Sequence, residues 1–298
     1  MTATVNSTKL GTQAGSSDGP EIRPASGSVV IAKNVADMRA SPDRSSELVS
    51  QAVLGQVVLT YDETPGWFRI RTSDEYSGWV ESRWTVADIR GRGYASSGKI
   101  ARISNLYAEL LTWPDPAADI ITKAVVGTEL ETAEIREDWV IVRLPDGKPG
   151  AVKRFAVELL DRAVFPLPLS PTGSEIAATA KRFIGVPYLW GGVTAFGLDC
   201  SGLAQLVHKL HGVFLPRDSY LQAECNLFNE LDEEALQPGD LLFFGNPGGS
   251  IAGRSITHVA IALGPDKFIH SAGGAGVVVS ETADAEYKSI FRMAKRLI

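Results

Sequence analysis

Cys200, His258 and His270 are the residues of this chain whose types and spacing suit nucleophilic chemistry. Asp199-Cys200-Ser201-Gly202 follows the glycine-punctuated segments Tyr188-Leu189-Trp190-Gly191-Gly192 and Ala195-Phe196-Gly197-Leu198. Behind it Leu203, Leu206, Val207 and Leu210 recur at helical spacing. Asp199 is therefore a predicted N-cap, with Cys200 in the first helical turn. There the helix field and unpaired N–H groups favour a thiolate, so Cys200 is expected to ionise below the ordinary thiol value of about 8.5. His258 opens the alternating run His258-Val259-Ala260-Ile261, and His270 lies near the end of the next run, after a Gly264-Pro265-Asp266 turn. Antiparallel pairing across that turn could bring both imidazoles to one face, although strand parity alone leaves their direction open. The expected roles are Cys200 as nucleophile, His258 as its base and His270 as the group that orients His258. The Cys200 backbone N–H is a candidate oxyanion donor. Tyr188 is either a second donor or a packing partner of Trp190.

The same three residues are a conceivable zinc set, but no close pair of the Cys-x-x-Cys or His-x-x-x-His kind joins them, so neither metal nor another cofactor is expected. His208 and His211 read as solvated or helix-end residues, Cys225 as a small inert thiol, and Gly202 as a point of close backbone approach. Two cysteines make no disulfide framework.

These groups need a scaffold, and the chain of 298 residues is long enough for two or three cores. Ser174 to Ile184 reads as a helix with Ile176, Ala177, Ala180, Phe183 and Ile184 on one stripe. Ahead of it, Phe165-Pro166-Leu167-Pro168-Leu169-Ser170-Pro171 reads as an extended connector. The first half repeats itself at an offset of 72 residues: Pro42 matches Pro114, Gly55 Gly127, Trp67 Trp139, Gly78 Gly150 and Val80 Val152. Short Val/Ile/Trp-rich runs between glycine turns predict a small β barrel per copy, with Trp67 and Trp139 in the cores. Apolar residues are 44% and charged residues 21%; with a net charge of -6 spread through the chain, neither nucleic acid nor membrane is an expected partner. Residues 1–25 have neither a basic start nor an apolar run and read as a disordered tail, which leads to a cytoplasmic expectation.

Val35-Ala36-Asp37-Met38-Arg39-Ala40-Ser41-Pro42, with Gly66-Trp67 and Ser77-Gly78-Trp79-Val80, resembles the bacterial SH3-like domain. Gly185-Val186-Pro187-Tyr188-Leu189-Trp190-Gly191-Gly192, Asp199-Cys200-Ser201-Gly202, Leu236-Gln237-Pro238-Gly239-Asp240-Leu241, His258-Val259-Ala260-Ile261 and Phe268-Ile269-His270-Ser271-Ala272 resemble the NlpC/P60 cysteine peptidases. The resemblance implies an α+β architecture: a papain-like catalytic domain over 174–298 behind two all-β SH3-like barrels at 26–95 and 96–164, with a linker at 165–173. It also implies a γ-D-glutamyl-L-diamino acid endopeptidase of murein peptide recycling. Such an enzyme would cut L-Ala-γ-D-Glu-meso-diaminopimelate, or its Lys equivalent, after the γ-linked residue and require a free N-terminal L-Ala. In that frame Asp199 and Ser201, aided by Arg217, Asp218 and Ser219, would bind the substrate amine, and Tyr76 would wall the pocket from the first barrel. An acidic pocket residue of the family falls at Gln56 here, which would leave Asp199 to neutralise the ammonium largely alone. Two other readings stand beside this one: an amidase or acyltransferase using the same thiol, and a non-catalytic wall-binding protein built on the barrels.

Overall fold

A computed structural model of the chain describes residues 25–88, 93–163, 171–245 and 255–298. Most of the predicted tail, connector residues 165–170 and the Asn246–Arg254 loop lie outside the described residues. The offset of 72 residues is carried by every strand of the first half. β1 (Gly27–Ile31), β2 (Val35–Arg39), β3 (Leu48–Val53), β4 (Val57–Thr64), β5 (Trp67–Arg71), β6 (Ser77–Glu81) and β7 (Thr85–Ala87) form a sheet ordered β3-β2-β6-β5-β4-β1-β7. The second sheet is built from β8 (Lys99–Ile103), β9 (Tyr107–Leu111), β10 (Ile120–Val125), β11 (Glu129–Ile135), β12 (Trp139–Arg143), β13 (Pro149–Lys153) and β14 (Val157–Asp161). Its order, β10-β9-β13-β12-β11-β8-β14, reproduces the first.

Alternation of side chains turns Met38, Ile70 and Val80 into one core and Leu110, Val140, Val142 and Val152 into the other. Gly55 and Gly127 make equivalent turns at φ +80°, and a Cβ at Gly55 would lie 2.7 Å from the Glu129 carbonyl oxygen, so the two sheets meet where only glycine fits. Trp139 is buried beside Leu111 and Ala151, with Lys153 Nζ 3.8 Å from its ring centre. Trp67 differs from the core expectation: it is half-buried and walls a surface groove with Pro42, Arg44 and Glu81.

In the third unit α1 (Gly173–Lys181) starts one residue earlier than predicted, because Thr172 and Glu175 close a reciprocal capping box. The helix ends before Phe183, and Ile184 has rotated off the apolar stripe to 54% exposure. The short pair β15 (Val193–Thr194) and β16 (Gly197–Leu198) leads into α2 (Cys200–Leu210), followed by α3 (Ser219–Glu224). The remaining elements are β17 (Phe228–Leu231), β18 (Leu241–Phe244), β19 (His258–Ala262), β20 (Lys267–Ala272), β21 (Gly276–Glu281), α4 (Ala285–Ile290) and β22 (Phe291–Leu297). Their sheet is antiparallel in the order β17-β22-β18-β19-β20-β21. α2 packs Leu203, Ala204 and Val207 into one apolar cluster with Val259, Ile261 and Ile269 of the sheet, each full Leu or Val burial being worth about 1.5–3 kcal/mol. No helix among the described residues is long and apolar enough to cross a membrane.

His208 corrects the sequence expectation. It lies on the inner face of α2, fully buried, with Nδ1 2.8 Å from the Ala204 carbonyl oxygen and its ring edge-on to Phe228. Burial pulls its pKa down to about 4. The folded state therefore holds His208 neutral while the unfolded chain protonates it near 6.5. Its stabilisation is complete above that value and shrinks as pH falls, by about 3 kcal/mol at pH 4. His208→Leu will flatten the acid side of the stability curve by that amount, measured as the change in urea midpoint between pH 7 and pH 4.

Candidate active site

The backbone of Asp199 is extended (φ -92°, ψ -179°), and its Oδ1 accepts from the Gly202 N–H at 2.7 Å, capping α2 so that Cys200 is the first helical residue. Gly202 is required sterically, since a Cβ there would meet the Gly192 carbonyl oxygen at 2.1 Å. Ser271 Oγ on β20 donates to the Leu198 carbonyl at 2.7 Å and ties the sheet to the nucleophile approach. Backbone N–H groups of Val259 and Ser201 hydrogen-bond the Cys200 sulfur and favour its thiolate. Burial and then the Asp199 charge outweigh them and push the thiol up to about 12. The expected lowering is thus reversed: the thiol is tucked against β19, and its neighbouring carboxylate opposes a second negative charge.

The histidines come together by register. Ile261 pairs with Ile269 and Ala262 with Phe268, so continuing that register makes His258 and His270 diagonal neighbours on one sheet face. Their rings are perpendicular (89°), with His258 Nε2 2.8 Å from His270 Nδ1. This is a hydrogen bond, shorter than the edge of roughly 3.3 Å between two nitrogens of a tetrahedral zinc site. Burial, followed by repulsion from His270, pulls His258 down to about 3, and burial pulls His270 down to about 4. Both rings are neutral at pH 7. The pairing of Nε2 leaves Nδ1 as the nitrogen of His258 outside that bond. On its far side His270 Nε2 meets Ser280 Oγ at 3.0 Å and the Tyr287 hydroxyl at 3.4 Å. Tyr188 bridges to Leu198, half-buried, and burial with the Cys200 and Asp199 charges raises its pKa above the ordinary 10. Its hydroxyl therefore remains a proton donor.

The residues expected around a substrate amine divide into two groups. Asp199, Ser201 and Arg217 form a closed buried network: Arg217 Nη1 donates to Asp199 Oδ1 at 3.0 Å and to Ser201 Oγ at 2.8 Å, while Nη2 pairs with Oδ2. Asp199 Oδ2 also accepts from Gly191 N at 2.9 Å. The carboxylate expected to neutralise an ammonium is already neutralised by Arg217. The second group faces outward across the boundary with the first sheet, where the Tyr76 hydroxyl donates to Asp218 Oδ1 at 3.4 Å. Ser219 is buried at the start of α3. Gln56 lies apart from both groups: its Oε1 accepts from the Val53 N–H at 3.1 Å, and it lines a cavity of about 460 Å³ between the units that neither Tyr76 nor Asp218 borders.

The first sheet is fastened to this site. Trp190 Nε1 donates to Glu47 at 2.7 Å, the Val193 N–H to Gln51 Oε1 at 3.3 Å and Gln205 Nε2 to Asp74 at 2.7 Å. A Cβ at Gly191, where φ is +76°, would stand 2.4 Å from the Leu48 carbonyl oxygen.

The NlpC/P60 family matches residues 185–296, and the bacterial dipeptidyl-peptidase SH3 domain matches residues 38–83. Residues 185–296 are an NlpC/P60 peptidase domain. The chain is 29% identical over 243 residues to a gamma-D-glutamyl-L-lysine dipeptidyl-peptidase of Bacillus cereus, covering 76% of this chain and 68% of that protein. It is 27% identical over 272 residues to dipeptidyl-peptidase 6 of Lysinibacillus sphaericus, covering 87% and 92%. A crystal structure of an NlpC/P60 family protein from Bacillus cereus superposes with a TM-score of 0.80 at 23% identity, over 91% of this chain and 99% of that one, which shows the shared fold.

Within the NlpC/P60 domain, a thiol, a neutral imidazole and a phenol donor are the kinds of group that acyl transfer without a preformed charge uses. Sequence reasoning missed Ser280, Tyr287 and Gln205. Ser280 had a signal, since it falls on the His270 side of a β20–β21 hairpin once His270 pairs with Val278. Tyr287 had none, because nothing in the local sequence says where α4 packs.

Proposed function

We propose that this chain is a cysteine endopeptidase that hydrolyses the γ-D-Glu–diamino acid bond of peptidoglycan-derived peptides with a free N-terminal L-Ala. The supporting observation is the Tyr76–Asp218 contact, which joins the SH3 domain to the peptidase domain and presents a carboxylate and a phenol at one spot. Burial raises the pKa of Tyr76, with the Asp218 charge adding to it, so the phenol remains a hydrogen-bonding group beside an anion. An ammonium leaving water needs this kind of charge partner. The role expected of Asp199 passes to Asp218, and Asp199, Ser201 and Arg217 instead brace the helix that carries the thiol.

In this reading His258 Nδ1 takes the Cys200 proton as the sulfur attacks the γ-carbonyl carbon. The Cys200 N–H and the Tyr188 hydroxyl hold the oxyanion. His258 then protonates the leaving amine and activates the water that hydrolyses the thioester. His270 holds the tautomer of His258. The second seven-stranded sheet is read as a second SH3-like copy on the strength of its strand order and offset, with units at 26–95, 96–164 and 174–298. A site that grips a free amine suits released peptides over intact wall, in keeping with a cytoplasmic enzyme.

L-Ala-γ-D-Glu-meso-diaminopimelate will yield L-Ala-D-Glu and diaminopimelate by mass spectrometry under reducing conditions, and the N-acetylated peptide will be cut at least about 100-fold more slowly. Tyr76→Phe and Asp218→Asn will narrow that difference by raising KM for the free-amine peptide. Equal cleavage of the two peptides by the parent enzyme would remove the free-amine requirement, and no cleavage of either would remove the substrate assignment.

A further inference from the structure

We infer that Ser280, backed by Tyr287, is a positioning residue that sets the proton arrangement of both active-site histidines. The inference rests on the reading of Cys200 as nucleophile and His258 as base. For His258 to receive a proton on Nδ1, its own hydrogen must be on Nε2 and point at His270 Nδ1, 2.8 Å away. His270 Nδ1 must then be an acceptor, which places the His270 hydrogen on Nε2. The working tautomer of the first ring therefore depends on an acceptor beyond the second.

That acceptor is Ser280 Oγ, 3.0 Å from His270 Nε2. The strand register puts it there: His270 pairs with Val278 and Phe268 with Ser280, so Ser280 shares the His270 face of the sheet. Ser280 is in turn hydrogen-bonded to Tyr287, so when its oxygen accepts from His270 its own hydrogen can be directed onward to the Tyr287 oxygen. Tyr287 stands edge-on to His270 (84°, centroids 5.1 Å apart) and to Phe268 (85°, 5.0 Å), so its ring covers His270 while its hydroxyl ends the series. Every donor then points away from the thiol: His258 to His270, His270 to Ser280, and Ser280 to Tyr287. His270 is only 1% exposed, so the group left to take over from the serine is the Tyr287 hydroxyl, at the longer distance of 3.4 Å from the same nitrogen. With the serine hydroxyl gone and only this longer contact on Nε2, His270 can place its hydrogen on Nδ1 instead. It then faces the His258 Nε2 hydrogen and drives His258 towards the tautomer that cannot accept from the thiol.

The test compares Ser280→Thr with Ser280→Val, which have nearly the same shape and differ in the hydroxyl, together with Tyr287→Phe. All are made in full-length protein carrying Cys225→Ser, so that alkylation reports Cys200 alone. Ser280→Val will lower kcat about 10- to 100-fold at unchanged KM and slow iodoacetamide alkylation in step, while Ser280→Thr stays within about threefold of the parent. Tyr287→Phe will fall between them. ¹⁵N spectra will show both histidines protonated on Nε2 in the parent and in Ser280→Thr, with Nδ1–H appearing at His270 in Ser280→Val. If the Thr and Val variants behave alike, whether both active or both impaired, the inference is overturned. Alkylation and the spectra need no substrate, so failure of the peptide assignment is read separately from the rate of tripeptide cleavage.

Discussion

Cys200→Ala will lower kcat on the tripeptide by about five to six orders of magnitude, the loss seen when a covalent nucleophile is removed from a triad. His258→Ala will lose nearly as much, and the double variant will be little worse than either single one, because the two groups act as a unit. The expectation follows from the resting state of the site. With the thiol pushed up to about 12 and His258 pulled down to about 3, neither group holds a charge alone at pH 7. The proton must move as the carbonyl carbon arrives, so removing the acceptor stops the reaction as thoroughly as removing the sulfur. Cys200→Ala will stay folded, since Ala is a good helix former and the Asp199 cap is untouched. Single-turnover mass spectrometry and a urea titration check both halves. Residual turnover above about 1% of the parent would mean that another group is the nucleophile.

Arg217→Met will cost about 3–5 kcal/mol of stability, because it breaks a buried ion pair by removing one partner. Arg217 is 2% exposed and Asp199 7%, so removing the guanidinium leaves a carboxylate with no countercharge and little water. Asp199→Ala will cost at least as much, because it also strips the α2 cap and the bond to the Gly191 N–H, an N-cap alone being worth about 1 kcal/mol. Asp199→Asn with Arg217→Met will recover part of the loss, since an amide can still cap the helix and no lone charge remains. Urea midpoints for the three variants measure this. A loss under about 1 kcal/mol for Arg217→Met would show that water reaches the pair. Activity will fall too, because this network holds the turn from which Cys200 projects.

Much of the site was legible because local rules governed it. Asp199 ahead of an apolar-periodic run is an N-cap signal, and the structure caps α2 there. The repeat was legible for the same reason, as turn glycines and alternating strands are read within a few residues of each other. The surroundings of the histidines were not, because Ser280 reaches His270 through strand register and Tyr287 reaches it from a separate helix. His208 was misjudged because helical spacing shows which face a residue lies on, whereas the depth of that face depends on the packing of Phe228 against it. The thiol shift was reversed because burial outweighs the short-range pull of a helix end, and burial is a property of the assembled core.

By itself, then, the sequence determined which residue types stand at the helix entrance and along the two strands, since caps, turns and alternation act between neighbours in the chain. Tertiary structure decided how deeply those groups are buried and which side chains meet each carboxylate. Asp199 and Asp218 have the same side chain, but one is enclosed by Arg217 and the other meets Tyr76 from a different unit. Solvation and countercharge are set by what folds against a residue, and those partners here come from as far as 142 positions away.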